Sequence, residues 1–163
     1  MTRPAPPTLG WTIAFGAVAA LAVLAALPPV VGGEVGAALR HAFSAVCHQI
    51  PERSPHLAGG PVALCHRCSG ILLGLGAGLA LAPVVGSAWL AGLTRGAQPL
   101  WLLLAAVPTA LDWSLGALGV WVNTPTSRAL TGAAFGLAAG IVLAANLLTP
   151  RVARAPSPLL SDA

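Results

Sequence analysis

The chain has 163 residues, of which 56% are hydrophobic and only 7% charged, with a formal net charge of +4. Soluble domains carry roughly 25% charged residues, so the composition excludes an ordinary soluble domain and indicates an integral membrane protein. The positive charge comes from eight scattered basic residues, all arginine, which form no basic surface for nucleic acid.

Four apolar segments are long enough to cross a bilayer, since about 20 helical residues span roughly 30 Å of hydrocarbon. They cover approximately residues 11–31, 61–93, 99–122 and 129–148. The second is over-long, so we expect it to begin outside the bilayer. We predict an all-α integral membrane protein whose four transmembrane helices form one bundle domain over residues 1–150. A disordered tail at 151–163 is expected to follow.

A loop of residues 34–68 joins the first two spans and holds every cysteine and histidine of the chain. From Val35 to Val46 the apolar residues recur at the spacing of one helix face, which predicts an amphipathic helix at the membrane surface or over the bundle end. With four spans, this loop and the start of the fourth helix lie at the same face. Arg128 should therefore lie near the loop.

The cysteines predict a metal site. Cys65 and Cys68 are two residues apart, which puts both thiols on one side of a helical turn. Cys47 and His48 complete a three-cysteine, one-histidine set, a familiar tetrahedral sphere for zinc. Adjacent residues on a helix point about 100° apart, so Cys47 and His48 can both bind only if the helix ends there. We predict a metal ion, with zinc favoured, that caps the bundle.

A structural disulfide from Cys47 to Cys65 or Cys68 is the alternative to a metal, and two other functions fit the same region. Cys65 and Cys68 could instead work as a membrane thiol-disulfide oxidoreductase, with Cys47 as a resolving thiol. Asp112 lies near the middle of the third span, where a carboxylate costs roughly 2.5–3.5 kcal/mol, so it should face the interior. Its expected partner is Arg67 or Arg128; Ser69, Thr131 or a protonated carboxyl are the alternatives. Asp112 could mark the path of a small transporter or channel. Whether the protein is an enzyme stays open.

Glycines recur every four residues in two of the spans. The second span carries Gly70, Gly74 and Gly78, and the fourth carries Gly132, Gly136 and Gly140. Small residues at this spacing let helix backbones approach closely in lipid. We predict that these two helices pack together at close range. The stripes could also serve a homo-oligomer or a membrane partner, in addition to the surrounding bilayer.

The basic residues leave the orientation almost balanced, with four arginines on each side of the predicted spans. Glu34 and Glu52 accompany the arginines of the loop side. This asymmetry favours a multi-pass protein of a prokaryotic cytoplasmic membrane, with both termini in the cytoplasm and the loop outside.

Two motifs carry a family resemblance. Residues 47–54 read Cys-His-Gln-Ile-Pro-Glu-Arg-Ser, and residues 65–70 read Cys-His-Arg-Cys-Ser-Gly. They resemble an uncharacterised family of small predicted membrane proteins, a domain of unknown function marked by Cys-His-Gln-x-Pro-x-Arg-Ser and Cys-x-Arg-Cys-Thr/Ser-Gly. The likeness spans roughly residues 40–140. It implies a shared architecture and a shared site rather than a reaction, and it adds Gln49 and Arg53 to the candidate site residues.

Overall fold

Four long helices dominate the structure, a computed structural model that describes residues 8–85 and 96–148. The described helices are α1 (Leu9–Ala26), α2 (Pro28–Val31), α3 (Gly33–Ser44), α4 (His66–Val85), α5 (Gln98–Ala117) and α6 (Pro125–Leu148). α1, α4, α5 and α6 are each long and apolar enough to cross a membrane. The predicted four-helix membrane architecture is confirmed. The tail predicted to be disordered, residues 151–163, lies outside the described residues.

The connection between α1 and α4 is helical, as predicted. It contains α2, α3, a 3-10 helix (Pro51–Arg53) and a small hairpin of β1 (His56–Leu57) and β2 (Gly60–Pro61). Hydrogen bonds attach this connection to the bundle and hold its parts together. The Ala63 N–H donates to the carbonyl of Ala25 at 2.8 Å, and the Arg40 guanidinium donates to the carbonyl of Pro61 at 2.6 Å. The connection therefore covers one end of the bundle.

Turn residues shift the helix ends from the predicted spans. α1 ends at Ala26 rather than near residue 31, because Pro28 has no N–H to continue the helix and instead begins α2. α4 begins at His66 rather than near residue 61, because Pro61 belongs to the hairpin. Residues 86–93 of that predicted span lie outside the described chain.

The third and fourth spans shift in the same way. α5 ends at Ala117 rather than near residue 122, and Gly119 follows in a left-handed conformation (φ 71°) of the kind that ends helices. α6 begins at Pro125 rather than near residue 129. Thr124 caps it, since the Ser127 N–H donates to the Thr124 hydroxyl at 3.0 Å.

The predicted close contact between the two glycine-striped helices is confirmed. A Cβ added to any glycine of either stripe would lie closer than 3.0 Å to a backbone oxygen of the other helix. Gly70, Gly74 and Gly78 face Ala129, Ala133 and Leu137 in that order. Residue numbers rise together on both helices, so α4 and α6 run parallel. Their N-terminal ends therefore meet at the same end of the bundle, beneath the α1–α4 connection.

The described residues form two buried apolar clusters: Ala25, Cys47 and Leu64 pack beneath the connection, and a larger cluster lies towards the opposite end. Val18 of α1, Leu79 and Ala82 of α4, and Ala144 and Leu148 of α6 pack together there. The Trp11 indole N–H donates to the carbonyl of Leu79 at 2.9 Å, which fixes the start of α1 against the later turns of α4. The core and the glycine contacts together position the polar end where the cysteines lie.

Candidate metal centre

Three thiols meet where the connection reaches α4. The Sγ atoms of Cys47, Cys65 and Cys68 all lie within 4.8 Å of one another, and all three cysteines are free thiols. Tetrahedral zinc with Zn–S bonds of about 2.3 Å needs sulfur atoms about 3.8 Å apart. A contraction of no more than about 1 Å per pair would therefore close a metal sphere.

Each thiol is placed by the backbone that precedes it. α3 ends at Ser44, and a turn in which the Cys47 N–H donates to the carbonyl of Phe43 directs Cys47 into the interior, where it is only 5% exposed. Cys65 immediately precedes α4 and Cys68 lies in its first turn. The Cys65 N–H donates to the Cys47 sulfur at 3.2 Å, which joins the two segments.

Gln49 shapes the turn after Cys47. Its backbone adopts a left-handed conformation (φ 51°), which is uncommon for a residue with a side chain. The side-chain amide of Gln49 donates to the carbonyl of Arg40 at 2.6 Å and so holds the turn against α3. The predicted site residue Gln49 thus has a positioning contact next to the thiols.

A cavity of about 330 Å³ opens beside the thiols. The predicted site residues that line it are Cys47, His48, Gln49, Arg53, Cys65, Arg67, Cys68 and Arg128. Trp113 also lines the cavity and was not among the predicted site residues. Its position directly after Asp112, near the end of α5, was the one feature of the sequence that could have indicated this role. The structure brings all these residues to one cavity.

Asp112 stands behind this cavity and is only 8% exposed. Its carboxylate forms an ion pair with Arg67 in the first turn of α4. The Asn123 side-chain amide donates to the backbone carbonyl of Asp112, and Gly116 leaves the space that this amide needs. The expectation of an interior Asp112 beside Arg67 is confirmed. Because α5 ends only five residues later, at Ala117, Asp112 lies near the cavity end of the helix rather than at its middle.

Comparison with known proteins places the chain among predicted membrane proteins. The model of a family described as "Predicted membrane protein (DUF2085)" matches residues 47–142, more than half of the chain. The chain belongs to this family. It is also similar to an uncharacterized protein of Methanocaldococcus jannaschii, with 28% identity over 98 residues that cover 55% of this chain and 56% of the relative. The chain thus spans just over half the length of that relative. No solved structure matches it.

The histidines of this DUF2085 chain lie apart from the thiol cluster. His48 lines the cavity, but its side chain is exposed and neither ring nitrogen joins the three sulfur atoms within 4.8 Å. Cys47 turns inward, so its neighbour His48 turns towards solvent. Neither His41 nor His56, both exposed, nor His66 at the start of α4 belongs to the cluster. His48 as the fourth ligand stays a prediction.

The thiols of Cys65 and Cys68 differ in acidity. The hydrogen bond from the Cys68 thiol lowers the pKa of the Cys65 thiol to about 5. This value of about 5 already includes smaller lowering contributions from the Cys68 backbone and the Cys47 thiol, and the opposing effect of partial burial. Cys65 is therefore a thiolate at neutral pH and becomes protonated as the pH falls through about 5. The thiolate is the form of cysteine that binds metals and attacks disulfides.

Proposed function

We propose that Cys47, Cys65 and Cys68 hold one metal ion, zinc, which caps the helix bundle. The observation that carries the proposal is the convergence of three thiol sulfurs within 4.8 Å from two separate segments of the chain. Three thiolates are soft ligands, a set that favours zinc over magnesium or calcium. A fourth position then remains for His48, if its ring rotates inward, or for another ligand from the cavity.

The proposed role is structural. The turn that carries Cys47 is joined to the start of α4 by one hydrogen bond, from the Cys65 N–H to the Cys47 sulfur. A metal bound by Cys47 on one side and by Cys65 and Cys68 on the other would lock that turn onto the bundle. Because lipid holds the four helices inserted independently of the metal, chelation should loosen the connection without removing the helices from the membrane.

Metal analysis of the purified protein tests the proposal. Wild-type protein, prepared in detergent without chelators, should contain about one equivalent of zinc. Each of Cys47→Ser, Cys65→Ser and Cys68→Ser should lower this to less than about a tenth, since a hydroxyl is a poor zinc ligand. His56→Ala is the matched control in the same connection and should keep full occupancy. His48→Ala decides the fourth ligand.

A metal-free wild type would contradict this proposal. In that result, the protein contains less than about a tenth of an equivalent of any transition metal, and a thiol titration shows that all three cysteines are in the reduced form. The three sulfurs would then have no metal role. Loss of zinc from the three serine variants must also occur without loss of helicity. Circular dichroism of each variant separates loss of a ligand from loss of the fold.

A thiol-disulfide oxidoreductase is the second candidate. It is supported by the lowered pKa of Cys65, which provides a thiolate beside the Cys68 thiol. In this function the Cys65 thiolate attacks a disulfide of a substrate. Cys68, whose thiol donates a hydrogen bond to Cys65, then resolves the mixed disulfide in place of Cys47, the resolving thiol expected from the sequence. Oxidised glutathione should then convert the chain to a form lighter by two hydrogen atoms, and the Cys68→Ser variant should accumulate a glutathione adduct instead. Zinc binding predicts protection from both products.

The bilayer is the partner that we propose for the outer faces of the bundle. A homo-oligomer formed through the glycine stripes would have to separate α4 from α6, whose stripes contact each other within the chain. We also propose that the residues before α1 and after α6 lie in the cytoplasm of a prokaryotic cell and that the thiol cavity faces outward. Transport through Asp112 gains no support from its pairing with Arg67.

A further inference from the structure

Three arginines converge on the thiol cavity with too few acidic partners. Arg53, Arg67 and Arg128 all line the cavity of about 330 Å³, and all three also line an adjoining cavity of about 110 Å³. In the described residues 8–85 and 96–148, Asp112 pairs with Arg67, whereas Arg53 and Arg128 form no ion pair. The buried Nε–H of Arg67 also lacks an acceptor in this part of the chain.

The proposed metal does not remove this excess of positive charge. A zinc ion with three thiolates carries one net negative charge, which would offset one guanidinium, and Asp112 offsets another. One of the three arginines then remains unbalanced. Without metal, the Cys65 thiolate offsets one guanidinium and Asp112 another, so one arginine again remains unbalanced. The cavity is therefore cationic in both states.

The helix arrangement adds to the positive potential. Because α4 and α6 run parallel, the N-terminal ends of two long helices lie at this end of the bundle. Each helix N-terminus carries roughly half a positive charge from its aligned peptide dipoles. Arg67 lies in the first turn of α4 and Arg128 in the first turn of α6, so the side-chain and backbone charges have the same sign.

We propose that this cavity binds a phosphate-type oxyanion held by Arg53, Arg67 and Arg128. Guanidinium groups donate paired, charge-assisted hydrogen bonds to phosphate oxygens, and three of them can surround a tetrahedral anion. The volume is near the lower end of the roughly 300–1,000 Å³ of small-molecule sites, so the anion is small or is the headgroup of a lipid. The inference goes beyond the metal proposal, because the arginines are in excess with or without metal.

Calorimetric titration of the full-length protein in detergent tests this proposal. The two probes are inorganic phosphate, measured against chloride at equal ionic strength, and dihexanoyl phosphatidic acid below its micelle concentration. Arg53→Gln and Arg128→Gln should each weaken binding by about 10-fold to 100-fold, since each removes hydrogen bonds to a charged partner. Arg53→Lys and Arg128→Lys should recover part of the affinity.

Arg40→Gln is the matched control. Arg40 lies in the same connection and bonds the carbonyl of Pro61, but it does not line the cavity. Arg40→Gln lowers the net charge by the same amount as the cavity variants do. It should leave the affinity for phosphate within about 3-fold of the wild-type value. Circular dichroism and a melting curve of each variant without ligand check the fold.

The outcomes separate the two sources of phosphate and the two proposals. Binding of inorganic phosphate that Arg53→Gln and Arg128→Gln weaken supports a free anion. Binding of phosphatidic acid alone, with the same dependence, supports a lipid headgroup. If neither probe binds, or if the cavity variants bind as Arg40→Gln does, the proposal is overturned. The titration is done with zinc-loaded and with chelated protein. If the purified protein never contains zinc but still binds phosphate, the metal proposal is overturned and the phosphate proposal stands.

Discussion

Gly74→Ala is expected to lower the melting temperature of the detergent-solubilised protein by about 6–12 °C, whereas Gly76→Ala should leave it nearly unchanged. A Cβ at Gly74 would lie closer than 3.0 Å to the Ala133 carbonyl oxygen of α6. This oxygen belongs to backbone and cannot rotate away, so the two helices must separate. We expect a loss of about 3 kcal/mol, at the upper end of the usual cost of over-packing.

Gly76 provides the control within the same helix. A Cβ there would meet only the Val18 side chain at 3.4 Å, an ordinary contact distance. Gly136→Ala tests the reciprocal face, because its Cβ would lie closer than 3.0 Å to the carbonyl oxygen of Ile71. Thermal unfolding followed by circular dichroism measures all three variants. Equal melting temperatures for Gly74→Ala and Gly76→Ala would show that α4 and α6 do not pack through the stripe.

The helix pairing and the class of protein were predictable because each depends on a repeated pattern. Long apolar segments must form helices in lipid, where every backbone N–H and C=O needs a partner. A glycine at every fourth position marks one face of a helix over three turns, and two such faces, Gly70 to Gly78 and Gly132 to Gly140, fit each other. Many residues contribute to each of these signals, so no single side chain decides them.

The helix ends were predicted less well because hydropathy does not register turn chemistry. Pro28 and Gly119 do not lower the hydropathy of a segment enough to mark a boundary, yet each ends a helix within a predicted span. The early end of α5 also moved Asp112 from the expected middle of the membrane towards the cavity. Proline and glycine positions, weighed above hydropathy, would have found both ends.

The candidate site divides in a similar way. Cys65 and Cys68 are neighbours through local helix geometry, so their spacing predicted their proximity. Cys47 joins them through the fold of the whole connection, which no local spacing predicts. Its neighbour His48 lies exposed beside the cavity, and its role as the fourth ligand stays a prediction. The excess of arginines over acids is a property of the assembled cavity and has no local sequence pattern.

Asp112→Leu is expected to destabilise the bundle by about 3–5 kcal/mol, because it leaves the Arg67 guanidinium buried without its carboxylate. The double variant Arg67→Leu, Asp112→Leu should recover part of this loss, since no buried charge is then left unpaired. Glu52→Gln, at an exposed acid in the 3-10 helix, is the control and should be nearly neutral. Equilibrium unfolding of wild type, both single leucine variants, the double variant and Glu52→Gln in mixed detergent measures the coupling. A silent Asp112→Leu would rule out an important ion pair.

Asp112→Asn separates the two roles that the ion pair can have. The amide keeps an oxygen that accepts a hydrogen bond from Arg67, so stability should fall less than in Asp112→Leu. Removal of the carboxylate also leaves Arg67 unbalanced beside the cavity. If the cavity binds a phosphate-type anion, Asp112→Asn should bind inorganic phosphate more tightly than wild type while it melts at a lower temperature. A purely structural pair predicts a lower melting temperature and unchanged phosphate binding, so calorimetric titration of this one variant distinguishes them.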